Sequence, residues 1–100
     1  MSFLFHPEAE EEFLAAIDWY GERSTGLAKD FAAEIRAAIL RAVAMPLAWP
    51  CIDGDIRRVI AHRFPYGVIY ALHGASVYIL AVMHLRRRPD YWRERLPQSE

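Results

Sequence analysis

The sequence predicts a single α+β domain, a helical hairpin packed on one face of a small antiparallel sheet, in the order β-α-α-β-β-β-α. Residues 7–45 hold two segments with apolar side chains at helical spacing, separated by three residues. Residues 56–84 alternate or run continuously apolar and are rich in Val, Ile and Tyr, as strands are. Strands grouped after a helical pair mark an α+β domain rather than repeated βαβ units. With 100 residues, 54% of them hydrophobic, the chain is long and apolar enough for one core, and residues 1–100 form one domain.

Residues 2–6, SFLFH, alternate weakly and predict a short opening strand. Pro7 suits the first position of a helix, where its missing N–H costs nothing. Glu8, Glu10, Glu11 and Glu12 follow, and their charge matches the positive end of the helix dipole. The stripe Ala9, Phe13, Ala16, Ile17 and Tyr20 predicts a helix over residues 7–23. Ser24, Thr25 and Gly26 break it. A second helix runs from Leu27 through Phe31, Ile35, Ala38, Ile39 and Ala42, and stops at Met45-Pro46. So short a connection makes the helices antiparallel, and alanine on the facing stripes lets the axes approach closely.

Residues 46–55, PLAWPCIDGD, hold two prolines and an Asp53-Gly54 turn signal, and predict a loop. IRRVIAHRF, residues 56–64, alternates as a half-buried strand does. Phe64-Pro65-Tyr66 reads as a rigid corner, proline's usual place at a sheet edge or bulge. Residues 66–73 form the next strand and Gly74-Ala75-Ser76 the turn after it. VYILAVMH, residues 77–84, is nearly all apolar and predicts a central strand buried on both faces. Arg86, Arg87, Arg88 and Pro89 end it, and a short helix follows from Asp90, its cap, to Leu96.

The formal net charge of -1 conceals two asymmetries. Eleven of the twelve basic residues are arginine, and Lys29 is the one lysine. Residues 1–50 carry four basic and eight acidic side chains, whereas residues 51–100 carry eight and five. An acidic half is joined to an arginine-rich one. No stretch approaches the roughly 18 consecutive apolar residues of a membrane helix, and no basic patch followed by an apolar run suggests a secretory signal. Cys51 is alone, which excludes an intramolecular disulfide and a cysteine-rich zinc cage. The expected setting is the cytoplasm, without membrane contact. Cys51 lies between Pro50 and Ile52 without an activating pattern and reads as a structural thiol.

Arg57, Arg58 and Arg63 lie on or beside one strand, Arg86 to Arg88 leave the last strand, and Arg93 and Arg95 lie on the final helix. Tyr66, His84, Tyr91 and Trp92 are interleaved with them. Guanidinium forks with aromatic platforms suit a nucleic-acid surface and suit a protein interface equally well; a solvated basic face is the plainest alternative. His84 closes the last strand, where it could serve as a general acid or base or bond a backbone carbonyl. His6, His62 and His73 lack the spacing of a metal site, so neither a metal nor a cofactor is expected.

The segments HPEAEEEFLAAIDWY, RRVIAHRFPYGVIYAL and ILAVMHLRRRPDYW, in this order and spacing, resemble the RelE/ParE superfamily of toxins from bacterial type II toxin–antitoxin systems. The resemblance covers nearly the whole chain. It implies a small toxin neutralised by a cognate, ParD-like antitoxin. One fold in that superfamily carries two activities, so the fold alone does not choose between them. RelE-like members cut mRNA on the ribosome without a metal, using cationic and tyrosine or histidine side chains; ParE-like members are described as inhibitors of DNA gyrase.

In the ribonuclease branch a catalytic arginine directly follows a strand tyrosine; here Gly67 follows Tyr66. Two lysines on alternate positions of the preceding strand correspond to Arg58 and Ile60. HRFPYGVIY and the closing His84, Arg87, Pro89, Trp92 pattern look like ParE-type sequences instead. The expected function is therefore gyrase inhibition. The alternative is a ribosome-dependent mRNA endonuclease, with Arg58, Arg63, His84, Arg87 and Tyr91 as its candidate acid–base and charge-stabilising set. The resemblance places the target-binding surface on Arg58, Arg63, Tyr66, Arg86, Arg87, Tyr91 and Trp92. It places antitoxin binding on the hairpin residues Phe13, Ile17, Tyr20, Phe31 and Ile35. A short upstream reading frame encoding an N-terminal DNA-binding motif is expected next to this gene, and sequencing its flank tests this; an isolated gene counts against the toxin–antitoxin reading.

Overall fold

The computed structural model describes residues 1–96. Its elements are β1 (Ser2–Phe5), α1 (Pro7–Gly21), α2 (Thr25–Ala44), β2 (Cys51–Asp53), β3 (Ile56–Ile60), β4 (Tyr66–His73) and β5 (Ser76–His84), followed by a 3₁₀ helix, Tyr91–Arg95. Helix α1 starts where proline and its cap agree: Pro7 needs no N–H partner, and His6 Nδ1 accepts from the Glu8 N–H at 3.1 Å. Ser24 ends the break and caps α2, its hydroxyl accepting from the Leu27 N–H at 3.4 Å.

The five strands lie in the order β1-β5-β4-β3-β2. Strands β2 to β5 pair antiparallel as expected, but β1 adds parallel to β5, which makes the sheet mixed. No tight turn joins β1 to its neighbour; the whole hairpin lies between them, so the parallel arrangement meets no constraint. Strand β2 occupies part of the predicted loop. The Asp53-Gly54 turn, with Gly54 at φ +54°, folds Cys51 back against Arg57. Strand β3 stops at Ile60 instead of residue 64, because the corner turns the chain: Tyr66 N–H donates to the Phe64 carbonyl at 2.7 Å, and Ala61 N–H to that of Tyr66 at 2.9 Å. The final helix is 3₁₀ rather than α, and Asp90 makes no capping bond; its carboxylate pairs with Arg88 at 3.1 Å.

Two cores sandwich the sheet. The hairpin buries Phe13, Phe31, Ile35 and Ile39 against Val59, Val68, Tyr70 and Ile79 on one face. On the other face Trp92 closes a smaller core over Ile69, Leu80, Ala81 and Met83. Strand β5 is thereby buried on both sides, as its unbroken apolar run predicts. It is not a simple alternating strand, however. Ile69 pairs with Ala81 and Tyr70 with Ile79, so Leu80 is an extra residue, a β-bulge. Before the bulge Val77 and Ile79 face the hairpin; after it Val82 does. Leu80 and Ala81 both face Trp92.

Past Ile79, β5 pairs with β4 on one side but has no strand on the other, because β1 ends once the His6 N–H has bonded the Ile79 carbonyl at 2.9 Å. Two side chains take the missing strand's place. Glu12 Oε1 accepts from the Val82 N–H at 3.1 Å, and Arg95 Nη1 donates to the Leu80 carbonyl at 3.0 Å. The two also pair with each other at 2.9 Å, with side chains only 13% and 9% exposed. Helix α1, the free edge of β5 and the 3₁₀ helix meet at this bond. Removing one partner of such a pair leaves the other charge buried, which costs about 3 kcal/mol. Glu12→Gln is thus expected to lower stability by about 3 kcal/mol in urea denaturation, while Glu11→Gln, at an exposed site, stays within about 0.5 kcal/mol; equal midpoints for the two variants would contradict this role of Glu12.

Candidate functional site

The bulge in β5 decides where the candidate residues stand. It turns His84 to the hairpin side, where its ring meets Tyr66 edge to face with centres 5.2 Å apart. Both line a groove of about 430 Å³ between α1 and the end of β5. Ala15, Ala16 and Val82 form its floor, Trp19, Tyr20 and Tyr66 its walls, and Glu12, His84 and Arg87 its polar end. His84 Nδ1 accepts from the Arg86 N–H at 3.1 Å, which leaves Nε2 to carry the proton of the neutral ring. Burial, with a smaller contribution from Tyr20, raises the Tyr66 pKa above the ordinary tyrosine value.

Arg87 and Tyr91 join this end. Arg87 Nη1 lies 3.3 Å from Glu12 Oε2, and its guanidinium stacks 3.6 Å over the Tyr91 ring. Arg95 approaches the same ring at 4.9 Å and also reaches Glu8 at 3.4 Å. Burial disfavours the charge of Arg95, but Glu12 and Glu8 outweigh that and hold the pKa above its usual value. The Tyr91 hydroxyl is buried beside Glu12 yet completes no hydrogen bond of normal geometry. Its pKa is pushed well above the ordinary value, first by burial and then by the Glu12 carboxylate.

The opposite sheet face carries the positions where the ribonuclease branch has its cations. Arg58 is in register with Ile69 and lines a cleft with Met83 and Trp92, away from the hairpin. Its aliphatic stem lies across Gly67: a Cβ there would stand 3.1 Å from Arg58 Cδ and 3.4 Å from Leu85 Cδ2. Arg58 and His84 are therefore on different faces. Arg63 lies elsewhere again, paired with Asp30 of α2 at 2.7 Å. Of the five candidate catalytic residues, the fold brings together His84, Arg87 and Tyr91, and leaves Arg58 and Arg63 apart. Among the described residues, no group of three or more His, Cys, Asp or Glu side chains is placed to hold a metal.

Two expectations need correction. Trp92, expected on the target-binding surface, is 1% exposed and anchors the second core. Phe13, Phe31 and Ile35, expected to bind the antitoxin, are core residues at 6%, 0% and 0% exposure. The stripe is covered because the two helices pack on each other and on β1, β3, β4 and β5. Ile17 and Tyr20 are half-buried at its margin. The hairpin's exposed large apolar residues are Leu14, Trp19 and Leu40 instead. The sequence reading also missed Glu12, taken with its neighbours as a match to the helix dipole. The available signal was its position, one turn from Ala9 and Ala16 on the border of the buried stripe.

The Tyr91 environment yields a stability prediction. A phenol whose folded pKa is raised contributes stability below the unfolded pKa, near 10, and loses it as pH rises through that value toward the folded one. Alkaline unfolding above about pH 10 should accompany phenolate formation in the ultraviolet spectrum. Tyr91→Phe removes a buried hydroxyl without a partner, so it is expected to change stability at pH 7 by less than about 1 kcal/mol. A larger loss would mean that the hydroxyl is bonded.

A family model described as the ParE toxin of type II toxin–antitoxin systems, parDE, matches residues 3–89. Among solved structures, a chain of the chromosomal ParDE system from P. aeruginosa is similar with a TM-score of 0.70. It shares 18% identity, and the match covers 84% of this chain and 95% of that one. At this identity the likeness speaks for the fold. No curated protein sequence matches significantly. The family match takes in the hairpin and all five strands, with the bulge, the groove and the basic turn after β5; the chain belongs to the ParE toxin family of type II toxin–antitoxin systems.

Proposed function

We propose that this toxin inhibits DNA gyrase by binding it, and that it is held inactive in the cytoplasm by a cognate ParD-like antitoxin. One observation carries the choice against RNA cleavage: Gly67 lies under the stem of Arg58, with Leu85 beside it. Position 67 itself carries no side chain, and a Cβ there would press on the Arg58 stem, which would have to give by a few tenths of an ångström. The loss of one preorganised donor at a phosphoryl-transfer site costs about two to three orders of magnitude in rate, and Ile60 removes a second cation from the same face. His84 does not restore the set, since its imidazole lies on the other face, against Tyr66. Of the cations near it, Arg87 is engaged by Glu12 and Tyr91.

For the target we assign the exposed basic turn after β5. Arg86, Arg87 and Arg88 are all exposed, and the Arg88–Asp90 pair is a surface contact worth little. Arginine is an enriched anchor of protein interfaces. Purified toxin is expected to inhibit gyrase supercoiling at micromolar concentration, and Arg86→Glu with Arg88→Glu to weaken inhibition about tenfold or more without altering the melting temperature. Unaffected supercoiling would leave the gyrase reading without support. Cuts in the ribosomal A site, read by primer extension, would overturn it.

A further inference from the structure

We infer that the cleft on the second face of the sheet, between Arg58 and Trp92, binds a small monocarboxylate with a short apolar body. The site is separate from the groove beside α1 and from the basic turn assigned to gyrase, so it stands or falls independently of the toxin's target.

Two residues lining this cleft carry donors without acceptors. Trp92 is 1% exposed, yet its buried indole N–H has no hydrogen-bond partner among the described residues. Buried donors of this kind are uncommon in folded proteins, and an indole can only donate. Arg58, half-buried on β3, makes no side-chain hydrogen bond or ion pair among the described residues. Both residues line one cavity of about 210 Å³. A cationic fork beside a neutral N–H calls for an oxyanion: the guanidinium takes its two oxygens, and one of them keeps a lone pair for the indole. The fork is also positioned in advance. The Arg58 stem rests on the bare backbone of Gly67, where a Cβ would stand 3.1 Å from Cδ and 3.2 Å from Cγ. A side chain ordered before binding loses little freedom on binding.

Charge and size choose among the oxyanions. Asp53 and Asp90 also line the cleft, but each is already matched, Asp53 by Arg93 at 2.7 Å and Asp90 by Arg88 at 3.1 Å. The positive charge of Arg58 is left over, and it suits a monoanion. A phosphate dianion would bring a second negative charge toward two aspartates. Ile52, Ile69 and Met83 supply an apolar lining beside these groups, so the rest of the ligand is hydrocarbon. The cavity is smaller than the roughly 300–1,000 Å³ of sites for drug-sized ligands. The hydrocarbon is therefore a few carbons long, as in butyrate.

The test is proton–nitrogen correlation NMR of the labelled full chain, titrated with sodium butyrate at neutral pH and constant ionic strength. Trp19, Trp49 and Trp92 each contribute one indole N–H signal, and the signal lost in Trp92→Phe identifies the third. Butyrate is expected to shift the Trp92 signal saturably, with a Kd of about 1 mM, and to leave those of Trp19 and Trp49 in place. Arg58→Gln should weaken binding about tenfold or more, the loss of a charge-assisted fork. Arg58→Lys keeps the charge without the fork and should fall between the two; the spectrum of each variant shows whether it is folded. Gly67→Ala, which presses on the Arg58 stem, should weaken binding to a smaller extent, and Arg36→Gln, at an exposed site on α2, should leave it unchanged. Acetate, which lacks the longer hydrocarbon, should bind more weakly than butyrate. A Trp92 signal unmoved at about 50 times the expected Kd would overturn the proposal, and so would equal affinity in the parent and Arg58→Gln. Tighter binding of inorganic phosphate than of butyrate would overturn the assignment to a monocarboxylate.

Discussion

The Glu12–Arg95 pair at the free edge of β5 is the bond on which the arrangement of this small domain depends. Beyond Ile79 the sheet has no neighbour for β5 on its β1 side, and buried backbone groups without partners cost about as much as lost hydrogen bonds. A longer β1 would satisfy them, but Pro7 ends the strand and opens α1. Instead a carboxylate from one side of the sheet and a guanidinium from the other reach the edge and complete its bonds. The same contact fixes the roll of α1 over the sheet and draws the 3₁₀ helix across the second face, where Trp92 is buried. It also blunts an edge that would otherwise template pairing with other chains.

The bulge at Leu80 complements this closure. One extra residue shifts the side-chain phase of β5, so that Val82 faces the hairpin and leaves its N–H at the open edge for Glu12. Without the shift His84 would share a face with Arg58. With it, the histidine belongs to the groove and the arginine to the opposite cleft. A single register irregularity thus separates the two sets of polar residues that the sequence lists side by side.

Much of the fold is legible in the sequence because its signals are local. Proline at the start of α1, Ser24 before α2, the helical stripes and the apolar run of β5 each name their element. Non-local facts are not legible in this way. The parallel seat of β1 depends on a partner more than seventy residues away, and the bulge depends on cross-strand pairing that no periodicity encodes. The last helix is 3₁₀, and its Arg95 is tied to Glu12 and the Leu80 carbonyl, far away in the sequence, contacts that helix propensity does not register. The site was read less well for the same reason. A stripe such as Phe13, Phe31 and Ile35 is visible because it is core, so a partner-binding surface is better sought at the stripe's margin. Trp19 and Glu12 stand there, one exposed and one internally bonded.

The division into an acidic and an arginine-rich half acquires a structural meaning once the partners are placed. Arg63, Arg87 and Arg95 of the second half pair with Asp30, Glu12 and Glu8 of the first. Arg88 and Arg93 pair with Asp90 and Asp53, and Arg57 donates to the carbonyls of Leu47 and Trp49. The asymmetry in charge is largely the complementarity that joins hairpin to sheet. Among the described arginines of the second half, Arg58 and Arg86 alone make no side-chain hydrogen bond or ion pair. A nucleic-acid surface that neutralises about six to ten phosphates needs many more free cations on one face. These two lie apart, one in the cleft and one on the turn after β5. A few arginines beside aromatic and small apolar side chains form the pattern of a surface that recognises protein.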